Sequence, residues 1–249
     1  MLRCATWLAP GLPLGLFELL SSEIARALGT EATVESFTAS SGPDPDDDPF
    51  ARDEFDIGFV CAPSYRRLST QSPASVQLVP AAAVFMDERN DGKPVYFVEL
   101  VARDELAATS LADLTTMRVG FNDHQSLSGL HAFNQQVASA GLDASSFAMV
   151  HTGGHQNSIA MLEAGRIDAA SIDSNTLLAM GGLPDGLHVL ETWGPFPIQP
   201  VVARSSLLDK TLNIIANALL TLDRDSDTAR ALRRFRVERF VPVSDADYR

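Results

Sequence analysis

The sequence predicts an α/β fold, and three observations support that class. The chain has 249 residues, of which 45% are hydrophobic and 20% charged, enough for one large domain or two smaller lobes. Short apolar segments alternate with amphipathic helical segments, which is the pattern of parallel sheets covered by helices. Polar turns follow five of the predicted strands, after Trp7, Cys61, Gly120, Val150 and Ile172. Because ligands bind beyond the carboxyl ends of parallel strands, these turns form the candidate site.

The first half of the chain supplies five predicted strands, over residues 2–7, 32–37, 55–61, 76–85 and 95–102. A helix is predicted over residues 14–28, because apolar residues recur there with helical spacing. Residues 40–49 are rich in proline and aspartate and predict a solvated acidic loop, since they lack the spacing of a calcium loop. Residues 62–64 are predicted to form a turn, and residues 87–94 a hairpin loop.

The second half continues the alternation of strands and helices. Strands are predicted over residues 117–119, 147–150, 169–172, 187–190 and 201–204. Helices are predicted over residues 111–114, 130–140, 158–164, 207–222 and 228–239. This order predicts that the strands run parallel, with their following turns at one edge of a sheet.

The composition limits the classes of partner. The formal net charge of −13 argues against nucleic acids and anionic membrane surfaces. No apolar run approaches the length of a membrane span, so membrane insertion is not predicted. Cys4 and Cys61 lack metal-ligand spacing and lie in apolar runs, which favours buried free thiols over a disulfide. No cofactor or metal ion is predicted. The chain as written carries no export signal, which predicts a cytoplasmic location, or a periplasmic one if a signal lies upstream or was removed.

The loop from Gly120 to Leu130 is the strongest candidate for a binding site. It connects a predicted buried strand to a predicted helix, and it contains Ser126 and Ser128. The first turn of a helix has unpaired backbone N–H groups and partial positive charge, so two added hydroxyl donors make a site for a small anion. The alternative is that one serine only caps the helix. The loop alone does not decide between the two interpretations.

Other candidates follow the remaining predicted strands. His155 lies on a Gly–Gly turn before a helix, which favours a functional role over a packing role. Trp7 is predicted either to stack on a ligand or to seal the interface between lobes. Asp173 either pairs with a cationic group of a ligand or caps the next helix, and the cap is slightly favoured. Tyr65 faces either a cleft or the surface, and His124 is predicted to be an exposed loop residue.

Several motifs, taken in order, resemble the phosphonate/phosphate-binding proteins of ABC transporters in the type II periplasmic binding protein superfamily. The similar segments include a Ser-x-Ser-Gly loop, a turn like Gly-Ser-His and a strand like Gly-x-Val-Asp-Ala. They cover most of the chain, at residues 55–59, 63–65, 96–103, 110–114, 126–129, 153–155, 165–169, 198–202, 240–243 and 247–248.

The resemblance implies two α/β lobes joined by two crossover strands that close over a ligand. Lobe 1 would comprise residues 1–97 plus 200–249, and lobe 2 residues 98–199. The implied ligand contacts come from hydroxyls and nearby backbone N–H groups, with a hydrogen bond or a positive charge from His155. The predicted ligand-binding residues are Ser126, Leu127, Ser128, Gly129, His155, Tyr96, Trp7, Asp173, Ser64 and Tyr65.

Two features depart from the family pattern. Leu127 stands where the family often has a hydroxyl, so one donor is lost. The first loop, residues 7–13, has few polar groups, which favours a ligand with an apolar or aromatic end that would contact Trp7.

The leading functional prediction is a solute-binding protein for a phosphonate, a phosphate ester or a similar small oxyanion, held in the cleft between the lobes. A transporter permease would be its partner, and binding is favoured over catalysis. The main alternative is a cytoplasmic enzyme on the same fold, of the menaquinone-pathway or another small biosynthetic type, and a ligand-sensing module is the third. A serine hydrolase that uses Ser126 and His155 is disfavoured, because anion binding explains a serine at a helix start equally well.

Overall fold

The structure is a computed structural model that describes residues 1–9, 11–38 and 41–249. Pro10 of the apolar first loop and Ser40 of the acidic loop lie outside the described residues. The chain divides into two compact units: unit 1 comprises Met1–Val95 and Pro197–Arg249, and unit 2 comprises Tyr96–Phe196. The chain passes between the units twice, at residues 95–96 and 196–197.

The described residues form mixed α and β structure. The strands are β1 (Leu2–Thr6), β2 (Ala32–Ser36), β3 (Ile57–Phe59), β4 (Val76–Leu78), β5 (Ala82–Phe85), β6 (Val95–Arg103), β7 (Arg118–Phe121), β8 (Ala148–His151), β9 (Ala169–Asp173), β10 (Leu187–Pro197), β11 (Val201–Arg204) and β12 (Val237–Val241). The α-helices are α1 (Leu14–Ala27), α2 (Ala62–Thr70), α3 (Ala132–Ser139), α4 (His155–Glu163), α5 (Ser174–Met180), α6 (Asp209–Leu220) and α7 (Ser226–Arg234). The predicted α/β class is confirmed.

Unit 1 is built on a five-stranded sheet with the strand order β2-β1-β3-β11-β4. β1 runs parallel to β2 and β3, whereas β11 runs antiparallel to β3 and β4. The predicted amphipathic pattern of α1 is observed, because its apolar positions, among them Leu16, Leu20 and Ile24, are buried. The cysteines are free and buried, as predicted.

Three predicted elements of unit 1 are wrong in their extent. Residues 76–85 form two strands in different sheets, since Pro80 has no N–H to continue the ladder of β4, and β5 pairs with β12. The predicted turn at residues 62–64 is the start of α2, with Pro63 in its first turn. The helix predicted over 228–239 ends at Arg234, because Arg236 takes a left-handed φ of 62° and the chain then enters β12.

Unit 2 is built on a second five-stranded sheet, with the order β10-β6-β9-β7-β8. β7 lies between β8 and β9 and runs parallel to both, and β6 runs antiparallel to β9. Apolar residues of β9, α4 and α5, such as Ile172, Leu162 and Leu177, pack into one core cluster. Within the described ranges, no helix combines the length and the apolar character needed to cross a bilayer.

Candidate functional site

The candidate site lies in unit 2, where the ends of four strands meet at one edge of the sheet. The parallel strands β7, β8 and β9 place three loops there, which carry Ser128, His155 and Asp173. β6 runs the opposite way, with Val98 opposite Asp173, so its first residues lie at the same edge. Tyr96 is therefore brought to this edge as well, although it is far from the serines in sequence.

The serine loop enters α3 through one π-helical turn, Leu127–His131. The Ser126 hydroxyl caps this turn by accepting a hydrogen bond from the Gly129 N–H at 3.0 Å. A Cβ at Gly129 would come within 1.7 Å of the Asn122 Oδ1 atom, so the turn can pass this side chain only because residue 129 is glycine. The cap uses a lone pair of Ser126 and not its proton. Ser126 can therefore cap the helix and still donate to an anion.

Ser128 and His155 are in direct contact. The Ser128 Oγ atom lies 3.0 Å from the His155 Nε2 atom and 3.4 Å from the Ser126 Oγ atom. The two serines are only 1% and 3% exposed. Two hydroxyls and one ring nitrogen thus form a contiguous row of groups that can each present an N–H or O–H proton.

The position of His155 depends on a buried network of hydroxyl groups. The Thr152 hydroxyl donates to the Phe121 carbonyl oxygen at 3.0 Å, which ties the turn after β8 to the end of β7. Thr152 also shares a 2.7 Å hydrogen bond with Ser158 inside α4. Since β7 leads into the serine loop, this network fixes the turn that carries His155 relative to the loop that carries Ser128. Neither Thr152 nor Ser158 was predicted from the sequence.

Burial keeps the His155 imidazole neutral. The side chain is 8% exposed, and this burial lowers its pKa to about 4. Of the two roles that the resemblance implies for His155, this burial favours a hydrogen bond over a positive charge near neutral pH. The ring is available as a hydrogen-bond donor or acceptor.

The turn after β9 shows one predicted residue in a capping role and one residue that the sequence analysis missed. The Asp173 carboxylate accepts a hydrogen bond from the Asn175 N–H at 2.8 Å and caps α5, so the interpretation as a cap is confirmed. The Asn175 side chain is fully buried, and neither its amide N nor its amide O has a hydrogen-bond partner among the described residues. An asparagine at a helix start is common, so its sequence position gave no signal.

The sequence left two roles open for Trp7, stacking on a ligand or packing, and the contacts of its ring favour packing. Its ring stacks on Phe37 with centroids 4.8 Å apart and planes 9° apart, and it also contacts Phe50 and Phe55. The side chain is buried in unit 1, and one face is already occupied by Phe37. The apolar first loop is explained by packing, since Leu12 is also buried. The inference that this loop indicates an apolar end of the ligand therefore loses its basis.

Ser64 and Tyr65 lie in the first turn of α2 and belong to unit 1. The Ser64 side chain packs closely against Gly42. A Cβ added at residue 42 would collide with the Ser64 hydroxyl. The Tyr65 hydroxyl donates to the Asp245 carboxylate, and its ring meets the edge of Tyr248 at 5.6 Å. Both side chains thus have structural contacts within unit 1.

No group of three or more histidine, cysteine, aspartate or glutamate side chains in residues 1–9, 11–38 and 41–249 is arranged to hold a metal ion. The Nε2 atom of His155 contacts Ser128, and its Nδ1 atom has no hydrogen-bond partner among the described residues, so no carboxylate holds the ring. The site therefore lacks the third member of a Ser–His–Asp triad among the described residues.

A comparison with known families finds one match over nearly the whole chain. A family model described as the periplasmic substrate-binding protein of phosphonate ABC transporters matches residues 16–248.

Solved structures share the fold at low sequence identity. PhnD1 from Prochlorococcus marinus, solved in complex with methylphosphonate, has a TM-score of 0.82 at 18% identity and covers 100% of this chain and 94% of its own. A binding-protein component of a phosphonate ABC transporter from Pseudomonas aeruginosa has a TM-score of 0.81 at 17% identity, with 99% and 82% covered. A protein described as the sulfonate-binding protein SsuA, from Methylobacillus flagellatus, has a TM-score of 0.61 at 16% identity, with 94% and 72% covered. The predicted fold of type II periplasmic binding proteins is confirmed.

Proposed function

The chain belongs to the family of periplasmic substrate-binding proteins of phosphonate ABC transporters, and we propose that Ser126, Ser128 and His155 hold the phosphonate group of its ligand. The observation that supports this assignment is the contiguous row of protic groups, with neighbouring heavy atoms 3.0 Å and 3.4 Å apart. A tetrahedral oxyanion accepts several hydrogen bonds at once, so a row of three donors suits it.

Binding would exchange contacts within the protein for contacts with the ligand. Ser128 and His155 are joined by one hydrogen bond along their 3.0 Å contact. A bound oxyanion would accept from the Ser128 O–H and from the His155 Nε2–H separately, and Ser126 would add a third donor while its cap is retained. Because all three groups are neutral, the site would bind the anion by oriented dipoles and not by a protein charge.

Leu127, Asn175 and the capping Asp173 lie on the same loops as the proposed oxyanion site and would be near the organic part of the ligand. Leu127 offers no hydroxyl at its position. The unpartnered amide of Asn175 supplies an NH₂ group and a carbonyl oxygen at the same sheet edge. We therefore expect a ligand whose substituent can form hydrogen bonds with an amide. The delivery of this ligand to a transporter permease is part of the same proposal and rests on the family alone.

The Ser128–His155 contact is poorly suited to nucleophilic catalysis. A general base for serine needs a pKa near the working pH, and burial lowers the pKa of His155 to about 4. No carboxylate in the described part of the chain hydrogen bonds to His155 and raises its basicity. This geometry favours reversible binding over a hydrolase.

The test is isothermal titration calorimetry with methylphosphonate, inorganic phosphate, methanesulfonate and acetate. We expect methylphosphonate to bind, and the Ser128→Ala variant to lose about 1–3 kcal/mol of binding free energy, since each hydrogen bond to a charged ligand is worth that much. Ser139→Ala, which alters an exposed serine of the same unit, is the matched control. Undiminished affinity in the Ser128→Ala variant would mean that this loop does not bind the ligand.

A further inference from the structure

A second candidate binding site lies in unit 1, on the surface between α2, β4 and the last residues of the chain. It is a cavity of about 450 Å³ whose lining includes Tyr65, Arg66, Val76, Leu78, Tyr248 and Arg249. All of these residues belong to unit 1, whereas the oxyanion-binding residues proposed above belong to unit 2. The volume lies within the usual range for ligand pockets.

One wall of the cavity is the open edge of a β-sheet. Among the strands of residues 1–9, 11–38 and 41–249, β4 is the last of its sheet, and it pairs with β11 on its inner side and with no strand on its outer side. The Val79 N–H donates to the Val201 carbonyl at 2.9 Å, so the backbone groups of residue 79 point towards β11. Because this direction alternates along a strand, the N–H and C=O groups of Val76 and Leu78 point away from β11. The outer edge of β4 thus presents backbone N–H donors and C=O acceptors at every second residue.

Tyr248 also lines the cavity, and its side chain is 3% exposed. Its hydroxyl is fully buried and has no hydrogen-bond partner among the residues that the structure describes, so this hydroxyl does not face the open cavity. Tyr248 therefore contributes part of the wall and not a donor.

The charge around the cavity favours an acidic partner. Two arginines, Arg66 and Arg249, lie along its lining, in a protein whose formal net charge is −13. Asp245 also lines the cavity and keeps its negative charge while it accepts a hydrogen bond from Tyr65. Two guanidinium groups and one carboxylate give these three side chains a net charge of +1, which favours an acidic group in the ligand.

We propose that this cavity binds an extended peptide segment with an acidic side chain, contributed by a partner protein. The peptide would pair with the outer edge of β4 through its own N–H and C=O groups, as an added strand. Its acidic side chain would contact Arg66 and Arg249. An extended peptide is the ligand whose donors and acceptors repeat with the two-residue spacing of this edge.

The test uses a fluorescein-labelled, end-capped peptide, Thr-Val-Glu-Val-Thr, and fluorescence anisotropy with the full chain. Two matched peptides accompany it, one with lysine for glutamate and one with N-methylated central amides. We expect the glutamate peptide to bind, the lysine peptide to bind about tenfold more weakly, and the N-methylated peptide to lose binding. No binding of the glutamate peptide at millimolar concentration, or equal binding of all three peptides, would overturn the proposal.

Protein variants locate the peptide. Leu78→Pro removes an outward N–H while the Val79–Val201 hydrogen bond of the inner ladder remains, and an edge strand tolerates such a proline. We expect Leu78→Pro and Arg66→Ala to weaken the glutamate peptide about fivefold to tenfold, whereas Arg166→Ala, an exposed arginine of unit 2, leaves it unchanged. Circular dichroism and methylphosphonate titration show whether each variant is folded. An unchanged dissociation constant in both Leu78→Pro and Arg66→Ala would refute this location, whatever the outcome for methylphosphonate.

Discussion

The buried His155 makes the stability of the protein sensitive to acid in a way that can be measured. Burial lowers the pKa of this side chain to about 4 in the folded state, against about 6.5 in an unfolded chain. Between these two values the unfolded state binds more protons than the folded state, so the free energy of unfolding falls as the pH falls. The contribution of His155 is fully present above pH 6.5 and is lost progressively towards pH 4.

The size of the effect follows from the two pKa values. Lowering the pH from 7.5 to 5 removes roughly 2 kcal/mol of stability through His155 alone. The assay is urea unfolding of the wild type and of His155→Gln at both pH values. Glutamine keeps an amide donor in place of the ring and does not titrate. We expect the wild type to lose about 2 kcal/mol more than His155→Gln over this range.

The control and the refutation use the same assay. His131→Gln changes an exposed histidine of the same unit, and we expect it to keep the pH dependence of the wild type. If the wild type and His155→Gln lose stability in parallel, His155 is not buried in its neutral form. The argument for a neutral donor in the oxyanion site would then fail with it.

Four further predictions follow from particular contacts. Calorimetry from pH 6 to pH 8 should give a constant difference in methylphosphonate affinity between the wild type and His155→Gln, because neither side chain changes its charge in this range. A difference that shrinks with rising pH would indicate a charged histidine. Trp7→Ala should lower the stability of unit 1 by about 3–5 kcal/mol in urea unfolding, and the ratio of the affinities for methylphosphonate and phosphate should stay unchanged. A selective loss of methylphosphonate affinity would instead show that Trp7 stacks on the ligand. Gly129→Ala should lower stability by about 1–3 kcal/mol because its methyl group meets Asn122, and a neutral effect would show that the turn is not tightly packed. Thr152→Val should weaken methylphosphonate binding by about 1 kcal/mol through loss of its hydrogen bonds, and unchanged calorimetric affinity would mean that His155 is positioned without it.

The sequence predicted those features that depend on local patterns. The serine loop was found because a buried strand, a polar loop with hydroxyls and a helix start follow one another within a short segment. The position of Asp173 before a helix likewise indicated its capping role, which the structure shows. The sequence did not reveal that Ser126 can cap a helix and still keep its proton for a ligand, because that depends on which lone pair accepts the Gly129 N–H.

The sequence could not decide those features that depend on distant residues. Two roles stayed open for Trp7, because its packing partners Phe37, Phe50 and Phe55 are 30 or more residues away in sequence. The possible charge on His155 depended on burial, and a histidine after two glycines gives no sign of burial. Asn175 was missed for the same reason, since only the folded protein shows that its amide has no partner among the described residues.

The most direct test of the central claim is a crystal structure of the protein with methylphosphonate. We predict that the phosphonate oxygens lie about 2.6–3.2 Å from the Ser126 Oγ, Ser128 Oγ and His155 Nε2 atoms. We also predict that the Ser126–Gly129 cap remains, because it does not use the proton that the ligand accepts. A phosphonate group bound elsewhere, with the 3.0 Å Ser128–His155 contact unchanged, would contradict the proposed site.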